Sequence, residues 1–476
     1  MLIMIKLFIK KNLLLFAVSP IIINFLINLF KGKIVLINYF INNKIVLIVF
    51  ILNSYFYYSL SLKIKNSLKI RSKFLALTYF LTSFYIIDYI FFPITKYFSS
   101  KLLFNFVILL WFILLLVKKT KLKILLNLTF LYFFTEFINY VTFDKLKSLS
   151  NYVELNTDVP VQWYQLANMI YSNNLYYAFS NNLIDGHGLY LSYVQSLLFR
   201  LNFYFFEFQF IRLNSNLLIF FCLIFISDLE LSTRNKLIFS ATFVTFILNS
   251  DWLNYLFFDS LMLEGLVSIF FVEYINNIKK YKNNSLNLNS TIFYLCFSAL
   301  FLSKQFVSLI TLLLLVFVFI RYKNLNVLGG VIFLVIDYLY KKIYTPTVDS
   351  FEYLKGTNPI ELALDLIKLR NLELGNIIKI INQLFLDKPF IYLLGLVFIS
   401  IIFKLVFKIN MSKNFEFNVL SFVIIINFIF IFLLFIVWWK DHGIQSSYRY
   451  SLNMLLCKFL LVFYFFENLE NKFSLE

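Results

Sequence analysis

The chain has 476 residues, of which 61% are hydrophobic and 14% charged; it contains 63 Phe, and its mean hydropathy is +0.80. A water-soluble globule cannot hide that much apolar surface, so composition excludes one and predicts a polytopic membrane protein. The formal charge of +18 does not indicate a nucleic-acid partner, because the 43 Lys and Arg gather in short loops between apolar runs, as the positive-inside rule expects.

Lys6, Lys10 and Lys11 precede a first apolar run that lacks a small-residue cleavage site, so no cleavable leader is expected. Apolar runs at 13–30, 44–62, 74–95, 102–117 and 124–142 predict an N-terminal block of transmembrane helices over residues 1–143. A polar segment follows at 144–207. Further runs then come at 208–228, 236–250, 255–276, 290–303, 306–320, 326–344, 389–407, 417–438 and 450–466, making 208–476 a transmembrane core. The expected fold is all-α, a polytopic transmembrane bundle of about 14 spans with interfacial helices on its outer face.

With the N-terminus in the cytoplasm, alternation places the basic groups Lys63, Lys65, Lys69, Arg71 and Lys73 inside, together with Lys118, Lys119, Lys121 and Lys123. Arg234, Lys236, Lys279, Lys280, Lys282, Arg321, Lys323, Lys404, Lys408 and Lys413 fall inside too. Lys341 and Lys342 fall outside, where lysines snorkel to headgroups. Within the outer segment, Leu191, Val194, Leu198 and Leu201 share one helical face, and Ser192, Gln195, Ser196 and Asn202 another. That pattern predicts a helix lying in the interface plane over 189–205, with a weaker example over 162–172. Three segments are left outside: 144–205, 345–388 and 438–450. Cys222, Cys296 and Cys457 lie inside apolar runs and read as packing residues, with no disulfide framework or metal spacing.

The outer segments hold the candidate chemistry. Asp158, just before the 162–172 helix, can take a proton from a hydroxyl nucleophile; before Pro160, Thr157 or Asp158 also reads as a helix cap. Asp185 and His187 share its loop. Asp251 sits at the outer end of 236–250, and Asp259 and Glu264 in the outer half of the next span. Ionisable groups in spans are costly unless they face a cavity or a partner, which also singles out Asp88, Glu136 and Asp337. Lys304 falls at an outer boundary, as a phosphate-binding point charge or a snorkelling lysine. In the last outer loop, Lys440, His442 and Arg449 lie among aromatics, and Arg449 suits a bidentate contact to phosphate.

Four patches, in this order, resemble the GT-C superfamily of integral-membrane glycosyltransferases: Asp158 through Ala167; Asp185 through Leu201; Phe257 through Glu264, followed by Ala299 through Lys304; and Ser447-Tyr-Arg-Tyr450 before the final span. The resemblance covers roughly residues 150–466. It implies a polyprenyl-phosphate sugar as donor, a glycan or lipid as acceptor, membrane lipids as surroundings and no nucleic acid. It further implies Asp158 as catalytic base, with Asp185, His187, Asp251, Asp259, Glu264, Lys304, His442 and Arg449 as substrate-binding residues. The acidic loop follows the fifth span here, whereas in the family it usually follows the first. No definite cofactor is implied; a divalent cation stays open, although Val159 stands where a second acid would strengthen a metal site. The rival classes are a flippase or other transporter of lipid-linked oligosaccharides, which calls for charges lining a path across the full depth, and a polysaccharide polymerase or ligase.

Overall fold

Where the structure describes them, the apolar runs are helical, the conformation in which a segment pairs its backbone N–H and C=O groups within itself. The computed structural model describes residues 19, 44–97, 99–117, 124, 126–132, 164–172, 175–180, 189–201, 207–248, 264–281, 287–303, 305–344, 374–384, 388–406, 415–433, 451–452 and 454–475. In chain order the helices are α1 (Lys44–Ser67), α2 (Lys73–Ile90), α3 (Lys101–Val117), α4 (Tyr164–Ser172), α5 (Leu175–Ser180), α6 (Tyr190–Leu201), α7 (Glu207–Asp228), α8 (Thr233–Leu248), α9 (Glu264–Ile278), α10 (Leu288–Ser298), α11 (Gln305–Tyr322), α12 (Leu328–Tyr344), α13 (Leu374–Leu384), α14 (Lys388–Val406), α15 (Phe415–Leu433) and α16 (Leu455–Leu475). Short 3-10 turns at Phe92–Ile94, Lys279–Tyr281, Ala299–Leu302 and Leu325–Val327 join or extend them. No strand occurs among the described residues.

Among these helices, Leu47–Ser67 within α1 and all of α2 are long and apolar enough to cross a membrane by length and composition. The chain forms two units, the larger holding α1–α7 and α9–α12, the smaller α8 and α13–α16.

In the larger unit α2 is central. It is mostly apolar and buries thirteen of its residues between Phe74 and Tyr89, leaving Ile87 and Ile90 exposed. Helices α1, α6, α7, α9 and α10 pack on it. Aromatic edges fill the joints: Phe74 meets Phe270 of α9 with ring centroids 5.8 Å apart, and Phe84 meets Phe104 of α3 at 5.3 Å.

The start of α2 is held by its neighbours. Ser72 is its N-cap, accepting the Leu75 N–H at 2.9 Å. Asp228, the last residue of α7, accepts the N–H groups of Lys73 at 2.6 Å and Phe74 at 2.9 Å. The Lys73 ammonium lies 3.7 Å from the same carboxylate. Glu273 of α9 accepts the Ser72 hydroxyl at 2.7 Å and the Asn277 amide at 2.8 Å. Three orphan donors of the first turn are thereby satisfied by side chains, with a carboxylate at the positive end of the helix dipole. The α2 start therefore meets the ends of α7 and α9.

Helices α10 and α12 approach closely because Gly329 and Gly330 present no side chain. A Cβ on Gly330 would sit 3.1 Å from Ser298 Cβ and 3.2 Å from the Tyr294 carbonyl oxygen. Small residues are the usual means of close helix contact where lipid replaces water.

In the smaller unit α16 packs against α8, α14 and α15. Phe239 of α8 meets Phe463 at 4.8 Å, and Phe246 meets Phe459 at 5.0 Å, so α8 and α16 run antiparallel. The start of α8 repeats the device seen at α2. Ser232 accepts the Asn235 N–H at 3.2 Å, Glu467 of α16 accepts the Ser232 N–H at 3.2 Å, and Arg234 pairs with Glu470 at 2.7 Å.

Both units turn large apolar side chains outward. On α3 these are Leu102, Phe106, Leu109 and Ile113; on α12 Ile332 and Val335; on α14 Phe398, Ile399 and Ile402.

The α10–α12 contact yields a test. Gly330→Val should force the two helices apart and cost about 1–3 kcal/mol of stability, with a smaller loss for Gly330→Ala. Unfolding midpoints of purified protein in mild detergent measure it; a midpoint for Gly330→Val equal to that of the unaltered protein would contradict the packing described.

Candidate functional site

The far end of α2 gathers a second polar cluster of the larger unit. Asp88 lies in the last turn of α2 and is 2% exposed. Its Oδ2 accepts the Tyr193 hydroxyl of α6 at 2.6 Å and the Ser99 hydroxyl at 2.7 Å; its Oδ1 accepts the Ser100 backbone N–H at 2.6 Å. The Ser100 hydroxyl and the Tyr193 hydroxyl are 3.0 Å apart, and Ser100 also reaches the Phe84 carbonyl at 3.0 Å. One carboxylate thus joins the end of α2, the turn entering α3, and α6.

Two cations complete the group by capping α4. The Lys101 ammonium, buried at the first residue of α3, donates to the carbonyl of Ile170. Arg200 of α6 donates to the carbonyl of Tyr171 at 2.8 Å, and its guanidinium sits 4.7 Å from the Tyr171 ring centroid. Both carbonyls belong to the last turn of α4, the negative end of that helix, where such groups lack intrahelical partners. Lys101, Asp88 and Arg200 are close enough to interact electrostatically. Helices α4 and α6 pack side by side, and α6 packs further on α2 and α3.

α6 is buried on both faces. Leu191, Val194 and Leu198 are covered, and so are Ser192, Gln195 and Ser196. The amphipathic pattern over 189–205 suggests a helix with one wet face; the polar face of α6 is instead turned into the protein, with Tyr193 on Asp88.

An aromatic layer lies beside the cluster. Tyr85 is 5.2 Å from Tyr190 and 5.4 Å from Tyr193, and Tyr190 shares a hydrogen bond of 2.6 Å with Thr82. Tyr89 donates to Asp337 of α12, and Tyr340 donates to the Ile90 carbonyl at 2.7 Å. Asp88 and Asp337, singled out as costly acids in spans, are thus both buried with tyrosine partners.

Asp158, Asp185, His187, Asp251, Asp259, Lys304, His442 and Arg449 lie outside the described residues, as do Glu136 and Lys440. Of Glu264, only its place as the first residue of α9 is described. No cluster of metal-ligating side chains occurs among the described residues.

Several charged groups were missed by the sequence reading. Glu273 is an acid inside an apolar run, and the rule that picked out Asp88 applies equally to it. Lys458 of α16 is another, buried and donating to the Ser451 carbonyl at 3.1 Å and to the Ser451 hydroxyl. Lys101 sits at a run boundary and resembles any flanking lysine; Arg200 and Tyr193 sit on what looks like a partly polar surface helix. Nothing in the spacing of those three signals a common partner.

Comparison with protein-family models, with curated proteins and with solved structures finds no match to this chain.

The cluster makes a prediction that separates it from an exposed polar patch. Asp88→Asn leaves buried donors facing an amide and should cost about 1–3 kcal/mol, and Tyr193→Phe about 1 kcal/mol. Because the two side chains share a hydrogen bond, the double variant should cost less than the sum. Detergent-unfolding midpoints for the two single variants and the double variant measure it; strict additivity would show that the two groups do not interact.

Proposed function

We propose that this chain is an integral-membrane glycosyltransferase of the GT-C type, with about 14 spans and its active site on the outer face of a bacterial cell membrane. The proposed reaction moves a sugar from a polyprenyl phosphate to a hydroxyl of an envelope glycan or lipid. The observation that carries this reading is the pairing of α4 with α6. Each helix starts shortly after a candidate acid, Tyr164 six residues past Asp158 and Tyr190 five past Asp185. These are the two patches in which the sequence resembles the family's acidic motif and its second outer helix. The structure thus pairs the two helices that these patches introduce.

Membrane residence is supported by the outward-facing Leu, Ile and Phe side chains of α3, α12 and α14, since contiguous apolar patches of that kind call for a lipid or protein covering. Alternation of the spans is supported by helix direction. In the larger unit the start of α2 meets the ends of α7 and α9, while its far end meets the later half of α12. In the smaller unit the start of α8 meets the end of α16. Each of these pairings is consistent with strict alternation of spans, and the basic loops, read as cytoplasmic, put the Asp88 end of α2 outside.

In the proposed chemistry, the acceptor oxygen attacks the anomeric carbon while the Asp158 carboxylate takes its proton. The bond from that carbon to the phosphate oxygen breaks, and Lys304 and Arg449 stabilise the charge that develops on the departing phosphate. Asp185, His187, Asp251, Asp259, Glu264 and His442 are proposed to hold the sugar and acceptor hydroxyls. The test is Asp158→Asn, whose amide keeps any capping role but cannot act as a base. Sugar transfer from a polyprenyl-phosphate donor in membranes should fall by ~10²–10⁴-fold, at unchanged protein level. Transfer within a few-fold of the unaltered protein would remove Asp158 from this role.

A further inference from the structure

The segment 345–388 reads in sequence as a hydrophilic outer stretch, yet α13 within it, Leu374–Leu384, is sharply two-sided. Set at about 100° per residue, Leu374, Ile377, Ile378, Ile380, Ile381 and Leu384 all fall on one side. Gly375, Asn376, Lys379, Asn382 and Gln383 all fall on the other, with Lys379 at the middle. On the apolar side Ile378 is 50% exposed and Ile381 36% exposed, with Ile377 half-buried. At 11 residues the helix is about 16 Å long, half the ~30 Å of a bilayer core.

We infer that α13 lies flat in the outer headgroup layer of the membrane, its isoleucines in the acyl boundary and Lys379 among lipid phosphates. This rests on the membrane orientation proposed above. Two features favour lipid over a protein partner. Only three residues separate α13 from α14 in the same unit, and α14 likewise exposes Ile391, Phe398, Ile399 and Ile402. The helix carries a cation and no acid, and Lys388 follows at the head of α14, which suits anionic headgroups. An amphipathic helix at the mouth of a bundle would steady the leaflet through which a lipid-linked substrate arrives.

The test uses the full chain in nanodiscs of phosphatidylglycerol and phosphatidylcholine, with a polarity-sensitive fluorophore on single cysteines introduced as Ile378→Cys, Gln383→Cys and Ile399→Cys, the native cysteines replaced. Lipids carrying a nitroxide near the headgroup should quench the probe at position 378 severalfold more than that at 383. Lipids with a nitroxide deep in the chain should quench the probe at 399. Equal, weak quenching at 378 and 383 with strong quenching at 399 would overturn the placement of α13 while leaving the membrane reading intact. An unquenched probe at 399 would overturn the membrane reading itself. Lys379→Gln should weaken quenching at 378 in anionic discs; lipid-independent shielding at 378 would point to a protein covering and contradict the inference.

Discussion

Helix ends are where this apolar chain is most exposed to failure. Each α-helix leaves its first N–H groups and last C=O groups without intrahelical partners, and a bundle that excludes water must supply those partners itself. Here charged side chains from neighbouring helices do so. Asp228 takes two N–H groups of α2, and Glu467 one N–H at the start of α8. Lys101 and Arg200 take two carbonyls of α4. The sign matches the helix dipole each time, acids at starts and cations at an end.

These caps do more than satisfy valence. A cap from another helix fixes which ends meet, so the direction of α7 and α9 against α2, and of α16 against α8, is set by a few carboxylates. Asp88 does the same at the other end of α2, where it draws Tyr193 and the Ser99–Ser100 turn together. That places α6, and through Lys101 and Arg200 also α4, against the end of the bundle. On α6 the polar residues Ser192, Gln195 and Ser196 are buried within the protein.

The sequence made the helical class and most helix positions legible, because 3.6-residue periodicity and long apolar runs report directly on what must be buried or lipid-covered. Runs at 102–117, 208–228 and 389–407 correspond to α3, α7 and α14 within a residue or two. The rule that buried acids need partners also picked out Asp88 and Asp337, without saying that tyrosine hydroxyls would be among those partners. What could not be read was any contact between distant residues. Tyr193 and Asp88 are 105 positions apart, and the two-sided pattern of α6 does not say whether its polar face meets water or the protein interior. α13 was hidden for the opposite reason: its short stripe lies in a segment whose overall composition is hydrophilic. The proposed catalytic set rests on resemblance and order in the sequence, since those residues lie outside the described part of the structure.

Everything functional in this account depends on residues 144–207 facing away from the cytoplasm. The direct measurement is labelling of intact cells with a membrane-impermeant thiol reagent, using Ser150→Cys and Lys121→Cys in a background whose native cysteines are replaced. The account requires Ser150→Cys to be labelled in intact cells and Lys121→Cys to be labelled only after permeabilisation. Labelling of Lys121→Cys from outside, with Ser150→Cys protected, would invert the topology and contradict the outward-facing site.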